Sequence, residues 1–266
     1  MFHRWRRRAA TADRVVLPLL VFVLFYVATL IGLVWLRFPL VNVSALIAVS
    51  VATLASVAIL DHGKWPLGLF VSPRLALREF LLGALFGATL IGLCALLVMM
   101  STSVRHSPGL GFPWLELVGI FVPAAVHEEL VFRGYAFQKL YRWNRNAALF
   151  LIALVFAGLH AGNLAVTPLG LVNIFLGGIL LGLAYERYQR LWFPIGLHLA
   201  WNVVSGPILG HEVSGYDSLL TVFIERGGGP VWLTGGDFGI EGSLWMTVTE
   251  VIAIIALGGR APRPVR

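Results

Sequence analysis

Few residues in this chain have side chains that could do chemistry, and most of them stand inside long apolar runs. His127, Glu128, Glu129 and Arg133 fall in AAVHEELVFRGYAFQ, His160 in FAGLH, and His198 with Asn202 in HLAWN. A charge at mid-bilayer costs roughly 2.5–3.5 kcal/mol on insertion scales, so such groups pair, line a wet cavity, or act. Glu129 and Arg133 are four residues apart, share one helix face and are spaced for an ion pair. Glu128 points about 100° away from that face and has no partner within its own helix. A carboxylate so placed suits general base or acid work. Phe156 and His160 share a face of the next helix, and His198 and Asn202 share a face of another. The Asn202 amide both donates and accepts, so it can orient a carbonyl or the neighbouring imidazole. If Glu128, the two imidazoles and the amide converge, the chemistry open to them is hydrolysis. A base activates water, and imidazole or amide donors stabilise the oxyanion that forms.

Each residue alone has a plainer reading. An intramembrane histidine serves as a hydrogen-bonding strut, Glu129 with Arg133 as a clamp, and Phe156 as packing. The recurrence of polar pairs at helical spacing on successive helices is what favours function. His127-Glu128 begins like an H-E-x-x-H zinc helix, but Val131 stands where the second histidine is required. A His₂Glu set of His160, His198 and Glu128 with an open position would suit zinc, and the sequence leaves it open. His127 reads as a neighbour and not a ligand. The chain has no G-x-S-x-G, Walker loop or dinucleotide fingerprint, and Ser205 and Cys94 lack a base at recognisable spacing. Gly177, Gly178 and Gly182 suit close helix packing in lipid.

The elements that must hold these residues follow from composition. The chain is 58% hydrophobic and 12% charged, with a mean hydropathy of +0.85, which excludes an ordinary soluble domain. Periodicity and run length predict helices at about 15–36, 40–60, 76–100, 114–142, 146–160, 168–188, 192–206 and 243–258. The fold class is therefore all-α: a polytopic membrane helical bundle of about eight transmembrane or partly spanning helices. The segments 146–160 and 192–206 are too short to cross about 30 Å at 1.5 Å per residue. The run 15–36 is longer than a signal-peptide core and reads as a retained first span. The predicted organisation is a basic cytoplasmic N-terminus at 1–14, one membrane-embedded domain at 15–258 and a basic cytoplasmic tail at 259–266. Within the domain, the motif core spans about 114–206 and an external glycine-rich loop about 207–242. That loop, with GGGP and TGGDFGIEGS, reads as an irregular, partly ordered cap and not a domain.

Charge placement supports this topology. With a cytoplasmic N-terminus, only Arg37, Arg105 and Arg226 of the 20 lysines and arginines fall outside, and Arg133 lies within a helix. Both termini are then cytoplasmic. The net charge of +7 and pI near 10.2 meet anionic lipid heads, not nucleic acid. The single cysteine, Cys94, excludes an intramolecular disulfide.

The motifs together resemble a known family. EELVFR fits E-E-x-x-x-R, FAGLH fits F-x-x-x-H and HLAWN fits H-x-x-x-N, in that order on successive helices. This is similar to the CPBP intramembrane protease family, also called the CAAX protease and bacteriocin-processing or ABI family, which includes the type II prenyl endopeptidases. The resemblance is close over about 114–206. It implies that Glu128 activates the attacking water with help from His160, and that His198 and Asn202 form the oxyanion hole. It further implies that Glu129 and Arg133 brace the site and that Phe156 packs beneath His160. The family is described both as a metalloprotease, which would add zinc as cofactor, and as a metal-free glutamate enzyme. The implied substrate is a peptide or membrane-anchored protein, and the implied location a bacterial plasma membrane. Two other readings stand beside it: a non-catalytic scaffold or bacteriocin self-immunity protein that keeps the motif for structure, and a proton-coupled transporter. The transporter lacks the expected broken helices in matching halves.

Overall fold

Apolar runs bounded by caps become helices. The computed structural model describes residues 12–38, 41–63 and 67–258, so the expectations for most of the basic N-terminus, Lys64 and the basic tail lie outside the described residues. The helices are α1 (Leu17–Trp35), α2 (Val41–Asp61), α3 (Pro73–Ser101), α4 (Val122–Phe132), α5 (Tyr135–Trp143), α6 (Arg145–His160), α7 (Pro168–Tyr188), α8 (Trp192–Val203) and α9 (Leu244–Gly258). A short helix at Trp114–Glu116 and a π-turn at Leu117–Phe121 lead into α4, and a second π-turn, Val204–Ile208, extends α8. The all-α expectation holds.

Several helix starts show their local cause. Asn144 Oδ1 accepts from the Ala147 amide at 3.0 Å to cap α6. Thr167 Oγ1 accepts from the Gly170 amide at 3.0 Å, with Pro168 at the first helical position of α7. The segment Arg14–Trp35 and helices α2, α3 and α7 are long and apolar enough to cross a membrane, while α6 and α9 are shorter. Their outward faces carry exposed leucine, valine and isoleucine, including Leu20, Val34, Leu85 and Ile255. Such a surface suits lipid and not water.

The expected single helix over 114–142 is instead broken between α4 and α5. Arg133 leaves the helical region (φ −129°, ψ −3°) as the C-cap of α4, and Gly134 follows in a conformation that is neither helical nor extended (φ −77°, ψ −139°). A Cβ on Gly134 would sit 2.0 Å from the Leu130 carbonyl oxygen, so only glycine permits this turn. The break frees the Arg133 guanidinium to reach a neighbouring helix, as described below.

Helix α8 is set by α3. A Cβ on Gly83 would lie 2.0 Å from the Phe193 carbonyl oxygen, and one on Gly196 would lie 2.1 Å from that of Phe80. The two backbones touch along this seam, which fixes the depth of His198 and Asn202. Three ion pairs close the end of the bundle where α3 begins: Lys139–Asp61, Arg145–Glu186 and Arg190–Glu79, each at 2.5 Å.

At the other end of α3, the 207–242 segment holds one strand and short helical turns among irregular residues. Strand β1 (Arg105–Pro108) pairs antiparallel with β2 (Phe223–Arg226), with Arg105 opposite Arg226 and Pro108 opposite Phe223. His106 Nε2 lies 3.3 Å from His211 Nε2, and the Glu225 carboxylate takes His211 Nδ1. Burial, then the nearby His211 ring, holds the His106 imidazole below its ordinary range, with Glu225 opposing. Farther on, the TGGDFGIEGS turn acquires a purpose. Gly239 has φ +89°, and a Cβ there would meet the Glu212 carbonyl oxygen at 1.8 Å. That tight contact seats Phe238, fully buried, in a cluster with Phe132, Phe156 and Ile174.

The glycine seam gives a direct test by thermal unfolding of the detergent-solubilised protein. Gly83→Val is expected to lower the midpoint by several degrees or prevent folding. Gly92→Ala, where a Cβ meets nothing within 4 Å, should leave it unchanged or slightly raised.

Candidate active site

The site is built on a fully buried ion pair. Arg133 Nη1 lies 3.1 Å from Glu129 Oε1, and neither side chain is exposed. Arg133 Nη2 donates to the Gly178 carbonyl of α7 at 2.9 Å, and the guanidinium sits 5.2 Å from the centre of the Phe156 ring. The expected i,i+4 pair is therefore present. Its second role was not legible: the same Glu129 oxygen accepts from His198 Nδ1 at 2.8 Å. This bond crosses from α4 to α8, and helical spacing carries no signal for it. It leaves His198 Nε2 facing Glu128 Oε2 across 3.8 Å. That is too long for a hydrogen bond, and Glu128 Oε2 has no hydrogen-bond partner.

On α6, His160 Nδ1 lies 2.7 Å from the Phe156 carbonyl oxygen. A carbonyl can only accept, so Nδ1 carries the proton and Nε2 of the neutral ring keeps its lone pair. The Phe156 ring lies 4.5 Å from the His160 ring and 6.4 Å from that of His198, and so packs against both imidazoles. His127 turns toward α1, where its Nε2 is 2.7 Å from the Tyr26 hydroxyl.

A cavity of about 580 Å³ unites these parts. Glu128 from α4, Phe156 and His160 from α6, and His198 and Asn202 from α8 all line it. Glu129 and Arg133 stand behind its wall. Among the described residues, no three His, Cys, Asp or Glu side chains are grouped to hold a metal ion. Nδ1 of each site imidazole is already committed, to Glu129 and to the Phe156 carbonyl. Glu128, His160 and His198 as arranged do not form the His₂Glu ligand set.

The cavity also has walls that the motif does not contain. Val213 to Tyr216 cover one side, closed on themselves by two 2.9 Å backbone hydrogen bonds between Val213 and Tyr216. The Tyr216 hydroxyl donates to Glu116 at 3.2 Å, and burial together with Glu116 pushes that hydroxyl up from its ordinary range. Glu241 accepts from Trp201 Nε1 and from the Ser214 hydroxyl, both at 2.6 Å. Asn173 Nδ2 donates to the Glu241 and Ser243 carbonyls at 2.7 and 2.8 Å, tying α7 to the start of α9. Glu250 of α9 completes the lining. Sequence reasoning missed Asn173, Glu241 and Glu250. For Glu250 a signal existed: it is the sole ionisable residue of LWMTVTEVIAIIALG.

Residues 110–204, which hold α4, α6, α8 and all the motif residues, match the family model for Rce1-like proteins, described as type II CAAX prenyl endopeptidase Rce1-like. Over this segment the chain is similar to the CAAX protease family. No curated protein matches the chain. The CAAX-type segment ends at 204, so Ser214, Glu241 and Glu250 enter the cavity from beyond it.

The buried knot sets an expected outcome. Arg133→Met leaves the buried Glu129 carboxylate with the His198 ring and no cation of its own helix, which should cost about 3–5 kcal/mol and abolish a cooperative melt in detergent. The double variant Glu129→Leu with Arg133→Met should recover much of the melt, since the buried carboxylate is removed with the guanidinium.

Proposed function

We propose that this protein is an intramembrane endopeptidase that hydrolyses a peptide bond of a peptide or membrane-anchored protein by glutamate-activated water. The observation that carries the reading is the convergence of Glu128, His160, His198 and Asn202 on one cavity among apolar helices, with Glu128 Oε2 unpartnered. A water beside Glu128 gives its proton to the carboxylate as its oxygen attacks the scissile carbonyl carbon. His160 Nε2 accepts the second hydrogen of that water and orients it. The oxyanion that forms takes hydrogen bonds from Asn202 Nδ2 and from protonated His198 Nε2. Glu128 then returns its proton to the departing amine, and the C–N bond breaks. Glu129 acts one step back, holding the His198 ring by its Nδ1–H.

The setting is a lipid bilayer, a bacterial plasma membrane in this reading, with nucleic acid excluded as a partner. The ion-paired end faces the cytoplasm, because Lys139, Arg142, Arg145, Arg187 and Arg190 gather there. A second reading, a non-catalytic scaffold or self-immunity protein, draws on the Glu129–Arg133–His198 contacts, which join three helices whatever Glu128 does.

Glu128→Gln separates the two readings. In liposomes, with mass spectrometry of cleaved membrane peptides, it should lower activity by about 10²–10⁴-fold while the melting midpoint stays put. Undiminished cleavage would remove the protease assignment. Activity is also expected to survive exhaustive chelation with no stoichiometric zinc by elemental analysis. Loss on chelation that zinc restores would place a metal in the mechanism.

A further inference from the structure

Glu250 has no part in the hydrolytic steps, yet it is the least compensated charge-bearing group on the cavity wall. Its side chain is fully buried in α9, and both carboxylate oxygens lack a hydrogen-bond partner. The contrast with Glu241 is sharp, since that carboxylate receives Trp201 and Ser214 on its two oxygens. Glu241 acts on Glu250 electrostatically and adds to the negative potential there. Among the described residues lining the cavity there is no lysine or arginine, while three are glutamates. A buried polar group without a partner costs about 1–3 kcal/mol, and more when charged. The missing partner is thus a donor, and the surrounding potential favours one with positive charge.

Space for such a group is offered by the cavity of about 580 Å³, which Glu250 lines together with Gly177 of α7. Ile174, Leu181 and Leu197 line the cavity with it and offer an apolar track for a long side-chain stem.

We propose that Glu250 receives a basic side chain of the substrate, so that the cavity selects peptides carrying lysine or arginine near the bond presented to Glu128. This rests on the endopeptidase reading for the position of that bond, but the cation site itself does not need hydrolysis. The lysine or arginine stem lies along the apolar wall, and its ammonium or guanidinium meets the two unpartnered oxygens of Glu250. Charge-assisted pairing inside a dry wall gives selectivity through the partner that is left unsatisfied when the cation is absent.

The test uses full-length protein carrying Glu128→Gln, so that substrate is held and not consumed. The probes are two acetylated and amidated leucine/alanine peptides that differ only in one lysine or one norleucine. The lysine peptide is expected to bind about tenfold or more tightly. Adding Glu250→Gln should erase that preference while leaving norleucine-peptide affinity unchanged. A hydrophobic carbodiimide should join the lysine amine to Glu250 as an amide, located by mass spectrometry, which needs no substitution at Glu250. Equal binding of the two peptides, a preference that survives Glu250→Gln, or a crosslink that avoids Glu250 would overturn the proposal. The two readings fail separately. If wild-type protein binds the lysine peptide selectively but cleaves nothing in liposomes, the hydrolytic assignment falls and the cation site stands. Cleavage of both peptides at equal efficiency would do the reverse.

Discussion

The whole site depends on how one buried cation is satisfied. Arg133 has no exposure, and taking a guanidinium out of water costs several kcal/mol unless its donors find partners. Nη1 goes to Glu129 on its own helix and Nη2 to the Gly178 carbonyl on α7, with the Phe156 ring of α6 against the guanidinium face and Nε left without a hydrogen-bond partner. Glu129 in turn holds His198 of α8. Four helices thus meet at two charged side chains. The break between α4 and α5 belongs to the same arrangement, because the guanidinium reaches α7 from a residue that has left helical geometry. Through this knot the orientation of His198 becomes a consequence of folding, and Glu128 Oε2 is left without a hydrogen-bond partner.

What the sequence made legible was governed by contrast and by period. Polar residues four apart stand out in apolar runs, so Glu129 with Arg133, Phe156 with His160, and His198 with Asn202 could be read directly. The helical period speaks only of neighbours on one helix. The Glu129–His198, Trp201–Glu241 and Asn173–Ser243 bonds join distant segments and left no trace in spacing. The turn at Arg133–Gly134 was hidden for a related reason, since apolar periodicity continues on both sides of it. In the 207–242 segment, glycines signalled turns correctly. That those turns would bury Phe238 against Phe156 depends on a backbone contact between Gly239 and Glu212. Glu250 was the one residue passed over that composition alone could have flagged.

The matched segment and the cavity do not coincide. Residues 110–204 contribute the motif side chains, whereas Val213 to Tyr216, Glu241 and Glu250 close the same space from later in the chain. The proposed catalytic groups and the proposed cation site are therefore held by different parts of the sequence. Asn173 couples them, because it sits on α7 inside the matched segment and bonds to carbonyls beyond it.

The two ends of the bundle are fastened by unlike means. Where α3 begins, Lys139–Asp61, Arg145–Glu186 and Arg190–Glu79 bind helix to helix directly. Where α3 finishes, closure relies on a short two-stranded ladder and glycine-rich turns. The cavity wall toward that second rim is accordingly set by backbone turns and not by charge pairs, with Val213 to Tyr216 lining it there.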